Sequence, residues 1–179
     1  MECARIVPKR RKKINVNGLL GVSKMKVAIA SDHGGINIRN EIISLLEEMK
    51  IEYLDLGCDC DTSVDYPDYA IPVAEKVASG EVERGILICG TGIGMSISAN
   101  KVKGIRCALV HDTFSAKATR EHNNSNILAM GERVIGPGLA RDIAKIWLTT
   151  PFEGGRHANR INKIKEYEAK GRFSCFLQN

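Results

Sequence analysis

Apolar positions along this chain follow two alternating rhythms. Short apolar runs bounded by turn residues fit strands, several of them covered on both faces: "KVAIA" from Lys26, "IEYLDLG" from Ile51, "GILIC" from Gly85, "IRCALV" from Ile105 and "NILAMG" from Asn126. Between them, "INIRNEIISLLEEMK", "YAIPVAEKVASGE", "MSISANKV", "TFSAKATREHN" and "GPGLARDIAKIWLTT" read as helices. In the first of these, Ile38, Ile42, Leu45, Leu46 and Met49 recur three or four apart, which places them on one helix face. A basic, helix-like tail follows from about Asn159. Strict strand–helix alternation with short connections predicts an α/β fold, a three-layer α/β/α sandwich around a five-stranded parallel sheet.

Ligands in such folds bind beyond the carboxyl ends of the strands. Standing there are "SDHGG" (Ser31–Gly35), "CGTGIG" (Cys89–Gly94) and the pair His111 and Asp112. The glycine loop is no dinucleotide fingerprint. GxGxxG counted from Gly90 needs a glycine where Met95 stands, and no GxxxxGK[ST] occurs. The fold is therefore expected to be Rossmann-like without binding a dinucleotide. What remains is a strand, a turn whose glycines Gly90, Gly92 and Gly94 leave backbone N–H groups free, and a helix start. That arrangement suits a phosphate or an oxyanion developing during reaction; a tight turn without ligand is the bland alternative. Cys89 beside it is a nucleophile, a base or a small core residue. A free thiol ionises with a pKa of about 8.5, and a helix N-terminus or nearby cations lower that value. Cys107, inside an apolar run, reads as a packed core thiol.

The net charge of +5 invites a nucleic-acid reading until it is located. Residues 1–24 hold seven Lys/Arg (Arg5, Lys9, Arg10, Arg11, Lys12, Lys13 and Lys24) against Glu2, a balance of +6, and the remaining 155 residues carry −1. The basicity belongs to an N-terminal arm, expected to be disordered, and not to the single domain of residues 25–179 with its helical C-terminal tail. Nucleic acid is therefore not the expected partner. Of the six cysteines, Cys58 and Cys60 are one residue apart, and no CxxC or spaced Cys/His quartet appears, so no metal is expected. The basic cluster leads into polar "INVNG" with no signal-peptide core, and no apolar run reaches the roughly 20 residues of a membrane helix. The expectation is a cytoplasmic protein with reduced thiols and no membrane partner.

The remaining polar candidates are few. His33 follows Asp32 at the first strand end, His122 lies in "REHNNSN" and His157 in "GGRHANR". Arg133 stands in "GERV", while Arg156 and Arg160, four apart, share a face if the tail is helical there; guanidinium forks match phosphate oxygens.

Taken together these stretches resemble one family. "ASDHGG", "VDYPDYA", "GILICGTGIGMSISANKVKGIR", "REHNNSNILAMGERVIG" and "FEGGRHANRI" keep the order and spacing of the type B ribose-5-phosphate isomerases, of the ribose/galactose isomerase family, from Met25 to about Ile164. The resemblance implies a cofactor-free and metal-independent aldose–ketose isomerisation of a sugar phosphate, ribose 5-phosphate to ribulose 5-phosphate, in the non-oxidative branch of the pentose phosphate pathway. It assigns Cys89 as the base that moves a proton between C2 and C1. Thr91 and the amides of Gly90, Gly92, Ile93 and Gly94 would stabilise the enediolate oxygen. His122 would open the furanose ring, and Asp32 and Asn123 would hold sugar hydroxyls. His33, Arg133, Arg156 and Arg160 would grip the phosphate, with Tyr66 lining the site. It also implies a homodimer, or a tetramer built from it, in which each active site draws residues from both subunits. The closest rival is an isomerase of allose 6-phosphate or galactose 6-phosphate. Galactose enzymes of the family divide the motifs between two different chains, whereas this chain carries Cys89, His122, Arg156 and Arg160 together. A non-catalytic sugar-phosphate-binding regulator is the alternative from another class.

Overall fold

The computed structural model describes residues 25–59 and 62–170. The basic arm, the Cys60–Asp61 pair and the last nine residues lie outside them, and so does the expectation of disorder in the arm. Five strands and six helices alternate in chain order: β1 (Lys26–Ser31), α1 (Ile36–Glu48), β2 (Glu52–Asp55), α2 (Pro67–Ala78), β3 (Arg84–Cys89), α3 (Ile93–Ala99), β4 (Cys107–Leu109), α4 (Thr113–Asn123), β5 (Ile127–Gly131), α5 (Pro137–Thr149) and α6 (Arg156–Lys170). The strands form one sheet in the order β2-β1-β3-β5-β4, and every pairing is parallel. The predicted three-layer α/β/α architecture is the one observed.

Period-two alternation sorts the strand side chains between two cores. Ile86 and Ile88 of β3 join Ile29, Leu128 and Met130 on the face covered by α1, α4 and α5, where Ile42, Ala116 and Trp147 are fully buried. Leu87 and Cys89 point to the other face, packed with Ala30, Ala70, Val73 and Met95 beneath α2 and α3. Cys89 therefore leaves the strand on the α3 side, where the glycine loop turns over it.

Two arginines fix the course of the chain near the sheet edges. After β2, the buried guanidinium of Arg39 donates to the Cys58 carbonyl at 2.7 Å and pairs with Asp59, pinning the chain that leads on to Val64. Cys58 is disulfide-bonded, against the sequence expectation of reduced thiols; Cys89 and Cys107 are free. At the end of α5, Arg84 donates to the carbonyls of Trp147 and Leu148 at 2.9 and 2.8 Å, satisfying acceptors that a helix terminus leaves open. The chain then reverses through Gly154 (φ 71°) and Gly155 (φ 53°), both left-handed, and the Glu153 N–H donates to Glu121 O at 3.1 Å. This turn seats the start of α6 against the end of α4.

Candidate active site

Strands β1, β3 and β5 are neighbours, so their carboxyl ends bring three segments together. Asp32 follows β1, and its N–H reaches across to Ile88 O at 3.3 Å. Its carboxylate accepts the Gly34 N–H at 2.8 Å. Burial raises the pKa of this carboxyl, opposed by the Gly34 N–H and by the charges of His33 and Arg133, with Glu132 pushing it up further. His33 Nδ1 accepts the Val64 N–H at 3.1 Å, so the neutral ring carries its hydrogen on Nε2.

Cys89 closes β3 and is 6 % exposed. The Gly92 N–H donates to its Sγ at 3.0 Å. Such a bond is stronger to a thiolate than to a thiol. Gly92 has φ 75°, and a Cβ there would lie 2.5 Å from Leu109 and 2.8 Å from the Met130 carbonyl carbon, so only glycine fits. The sequence pattern implies loop N–H groups that point outward; at Gly92 the group turns in to the sulfur instead. Thr91 and Ile93 stand exposed at the tip, with the Ile93 N–H donating to Thr91 Oγ1 at 3.3 Å. Arg133 donates its N–H to Gly90 O at 3.0 Å, and its side chain lies so close over Gly90 that a Cβ there would meet Nε at 3.3 Å. Gly94 leaves room for the ring of Tyr66, which a Cβ would approach to 2.8 Å. Asp32, His33, Tyr66, Cys89, the loop from Gly90 to Gly94 and Arg133 thus gather at the carboxyl edge.

His122, Asn123, Arg156 and Arg160 do not join them. Helix α4 begins at Asp112, whose side chain caps it through the Ser115 N–H, and runs back along the sheet for 11 residues. At 1.5 Å per residue that is about 16 Å. Its last turn, with His122 and Asn123, therefore lies at the amino edge, where α5 also ends and α6 begins. There the rings of His122 and His157 stack with centroids 4.4 Å apart and planes 9° from parallel. His157 is 4 % exposed, and its Nε2 accepts from Arg156 Nε at 3.5 Å and lies 3.6 Å from Glu153 Oε2. Burial lowers the pKa of His157, as do His122, Arg156 and Arg160, with Glu153 alone opposing. Arg156 and Arg160 fall in the first two turns of α6, exposed and one helical turn apart. The helix starts three residues before the sequence pattern suggests, and that puts both arginines on it.

The sequence pattern places His122 where a helix ends before the fifth strand, assigns it to the same site as Cys89 only through the family resemblance, and gives His157 and Glu153 no role. The ligand atoms of His122, Glu153 and His157 come within 4.8 Å of one another, spacing that a metal ion could use. Stacked imidazoles hold their lone pairs in parallel planes, however, so the two rings as they stand do not converge on one ion. Cys107 is the inert thiol expected: burial pushes it up to about 12.

Comparison with known proteins identifies the family. Residues 27–164 match the family described as Ribose/Galactose Isomerase. A Bacillus subtilis relative named "Putative sugar phosphate isomerase YwlF" is 81 % identical over 82 % of this chain and 99 % of its own. A Pectobacterium atrosepticum protein named D-erythrulose-4-phosphate isomerase is 44 % identical over 80 % of this chain and 95 % of its own. The solved ribose-5-phosphate isomerase B of Clostridium thermocellum superposes with a TM-score of 0.80 at 53 % identity, covering 83 % of this chain and all of that one. A family match running from the first strand into the last helix, together with the shared fold, means that the chain belongs to the ribose/galactose isomerase family and is an aldose–ketose isomerase.

Proposed function

We propose that the protein interconverts ribose 5-phosphate and ribulose 5-phosphate as a homodimer in which each active site joins the carboxyl-edge group of one chain to the amino-edge group of the other. The observation that carries this reading is the separation itself. One edge holds a base, an oxyanion loop, a histidine and an arginine; the other holds a second histidine, an amide and two arginines. A five-carbon sugar phosphate is too short to touch both across one sheet, so the two groups act together only between chains.

Each group then has a role. His122 of one chain protonates the ring oxygen O4 while the proton of the O1 hydroxyl leaves, which breaks the C1–O4 bond and frees the aldehyde. Cys89 of the other chain, as thiolate, takes the proton from C2. The C2–H electron pair forms the C1–C2 double bond, and negative charge develops on O1, where Thr91 and the loop amides other than that of Gly92, which serves the sulfur, stabilise it. The thiol returns the proton to C1, and C2 becomes the ketone as the proton of its hydroxyl passes to O1. Asp32 and Asn123 orient hydroxyls. His33 and Arg133 of one chain and Arg156 and Arg160 of the other enclose the phosphate. The chemistry takes place in the cytoplasm, within the non-oxidative pentose phosphate branch, and no helix among the described residues is long and apolar enough to cross a membrane.

Measuring ketose formation from ribose 5-phosphate, allose 6-phosphate, galactose 6-phosphate and unphosphorylated ribose tests the reading. Ribose 5-phosphate should give the highest kcat/KM, and Arg160→Ala should raise its KM by about 10- to 100-fold, the worth of one charge-assisted bond, while leaving the rate on unphosphorylated ribose unchanged. Higher efficiency on a six-carbon phosphate would transfer the function to that substrate. Absence of turnover on all of them would leave a binding protein.

A further inference from the structure

The buried His157 has no part in the reaction assigned to the site, yet it lies face to face with the one group asked to open the ring. We propose that His157 is the positioning residue for ring opening: its buried imidazole, held by the Arg156 guanidinium, fixes the plane of His122 by stacking. The proposal rests on the assignment of His122 as the ring-opening acid.

Three observations carry it. The stack is tight and nearly parallel, 4.4 Å between centroids and 9° between planes, so His122 cannot tilt out of its plane without losing the contact. His122 ends α4, where a helix frays and side chains gain freedom; His157 sits in the first turn of α6, buried and held. Finally, the Arg156 Nε–H donates to His157 Nε2, which makes that nitrogen an acceptor and the ring neutral, with its hydrogen on Nδ1. Burial, any charge on His122, and the Arg156 and Arg160 guanidiniums oppose a charge on His157, against Glu153, which favours one. A neutral aromatic face is what a ring that gains and loses a proton needs beneath it, because it attracts the cationic form, whereas a second imidazolium would repel it. The left-handed turn at Gly154 and Gly155 and the Glu153–Glu121 backbone bond fix the register of the two helices that this contact requires.

The product supplies the control. Ribulose 5-phosphate is acyclic, because closing a five-membered ring on its C2 ketone needs O5, which carries the phosphate. Exchange of its C1 proton with solvent deuterium, monitored by proton NMR, therefore reports Cys89 chemistry and an intact fold without any ring opening. We expect His157→Ala to lower kcat on ribose 5-phosphate by about 10- to 100-fold, the effect of a mispositioned catalytic group, while C1 exchange on ribulose 5-phosphate stays at the wild-type rate. His157→Phe, which restores a face to stack on without a titratable nitrogen, should recover most of the lost rate. Equal losses in both reactions, or no loss from His157→Ala, would overturn the positioning role. A His157→Phe chain as slow as His157→Ala would overturn stacking as its means. If His122→Ala itself loses both reactions equally, the ring-opening assignment fails and takes the proposal with it.

Discussion

Cys89→Ser lowers turnover of ribose 5-phosphate by about 10² to 10⁴ and leaves its binding in place, the loss expected when a positioned general base is removed. Serine is close to cysteine in size, and the Gly92 N–H that now reaches Sγ at 3.0 Å can donate to a hydroxyl oxygen instead, so the strand-end turn keeps its shape. What changes is ionisation. A thiol ionises with a pKa of about 8.5 and is partly charged at neutral pH, whereas an alkyl hydroxyl is not. In the proposed site substrate would still meet Asp32, Arg133 and the arginines of the second chain, so KM should hold while kcat falls, and C1 exchange on ribulose 5-phosphate should fall with it. Cys107→Ser is the matched control. Its thiol, pushed up to about 12 by burial, is no base at neutral pH, and its loss should leave the rate unchanged. A Cys89→Ser enzyme that exchanges at the wild-type rate would hand the base role to Asp32, whose carboxyl burial has already raised.

His122→Ala should be nearly as damaging, but in one reaction only. Ribose 5-phosphate exists mainly as a closed furanose, and losing its acid–base partner should cost about 10² to 10⁴ in turnover. Ribulose 5-phosphate needs no ring opening, so its C1 exchange should remain within about twofold of wild type if Cys89 alone performs that step. Measured side by side, the two rates separate the roles of the two edges of the sheet. Loss of both would mean that His122 supports the structure of α4 or the approach of the second chain.

The sheet is readable from the sequence because period-two and period-3.6 patterns are imposed residue by residue. "GILIC" matches β3, and "TFSAKATREHN" is α4 residue for residue. Elements with weak patterns shift. "IRCALV" shrinks to the three residues of β4, an edge strand with a neighbour on one side only. Helix α6 starts at Arg156, hidden by the glycine turn before it. The carboxyl-edge residues are legible through the rule that ligands sit at strand ends. The amino-edge group is not, because its placement depends on α4 running the length of the sheet and not on any local signal. Contacts between distant segments escape sequence reading for the same reason. "GERV" points to Arg133, yet it is Glu132 that accepts the Ile38 N–H at 2.9 Å and the Asn37 amide at 2.7 Å, tying the start of α1 to the end of β5. The stack of His122 on His157 is another such contact.

The separation of the two groups is the central claim, and mixing inactive chains tests it most directly. Cys89→Ser and His122→Ala chains, each carrying a different affinity tag, are produced together and the mixed dimer is isolated through both tags. In that dimer one site carries both substitutions, and the other joins an intact Cys89 to an intact His122. The mixed dimer should therefore turn over ribose 5-phosphate at about half the wild-type rate, although neither parent is active, because one of two symmetry-related sites is whole. A mixed dimer as inactive as its parents, or the absence of any mixed dimer, would mean that Cys89 and His122 of one chain serve the same site, and the account built on opposite edges of the sheet would be wrong.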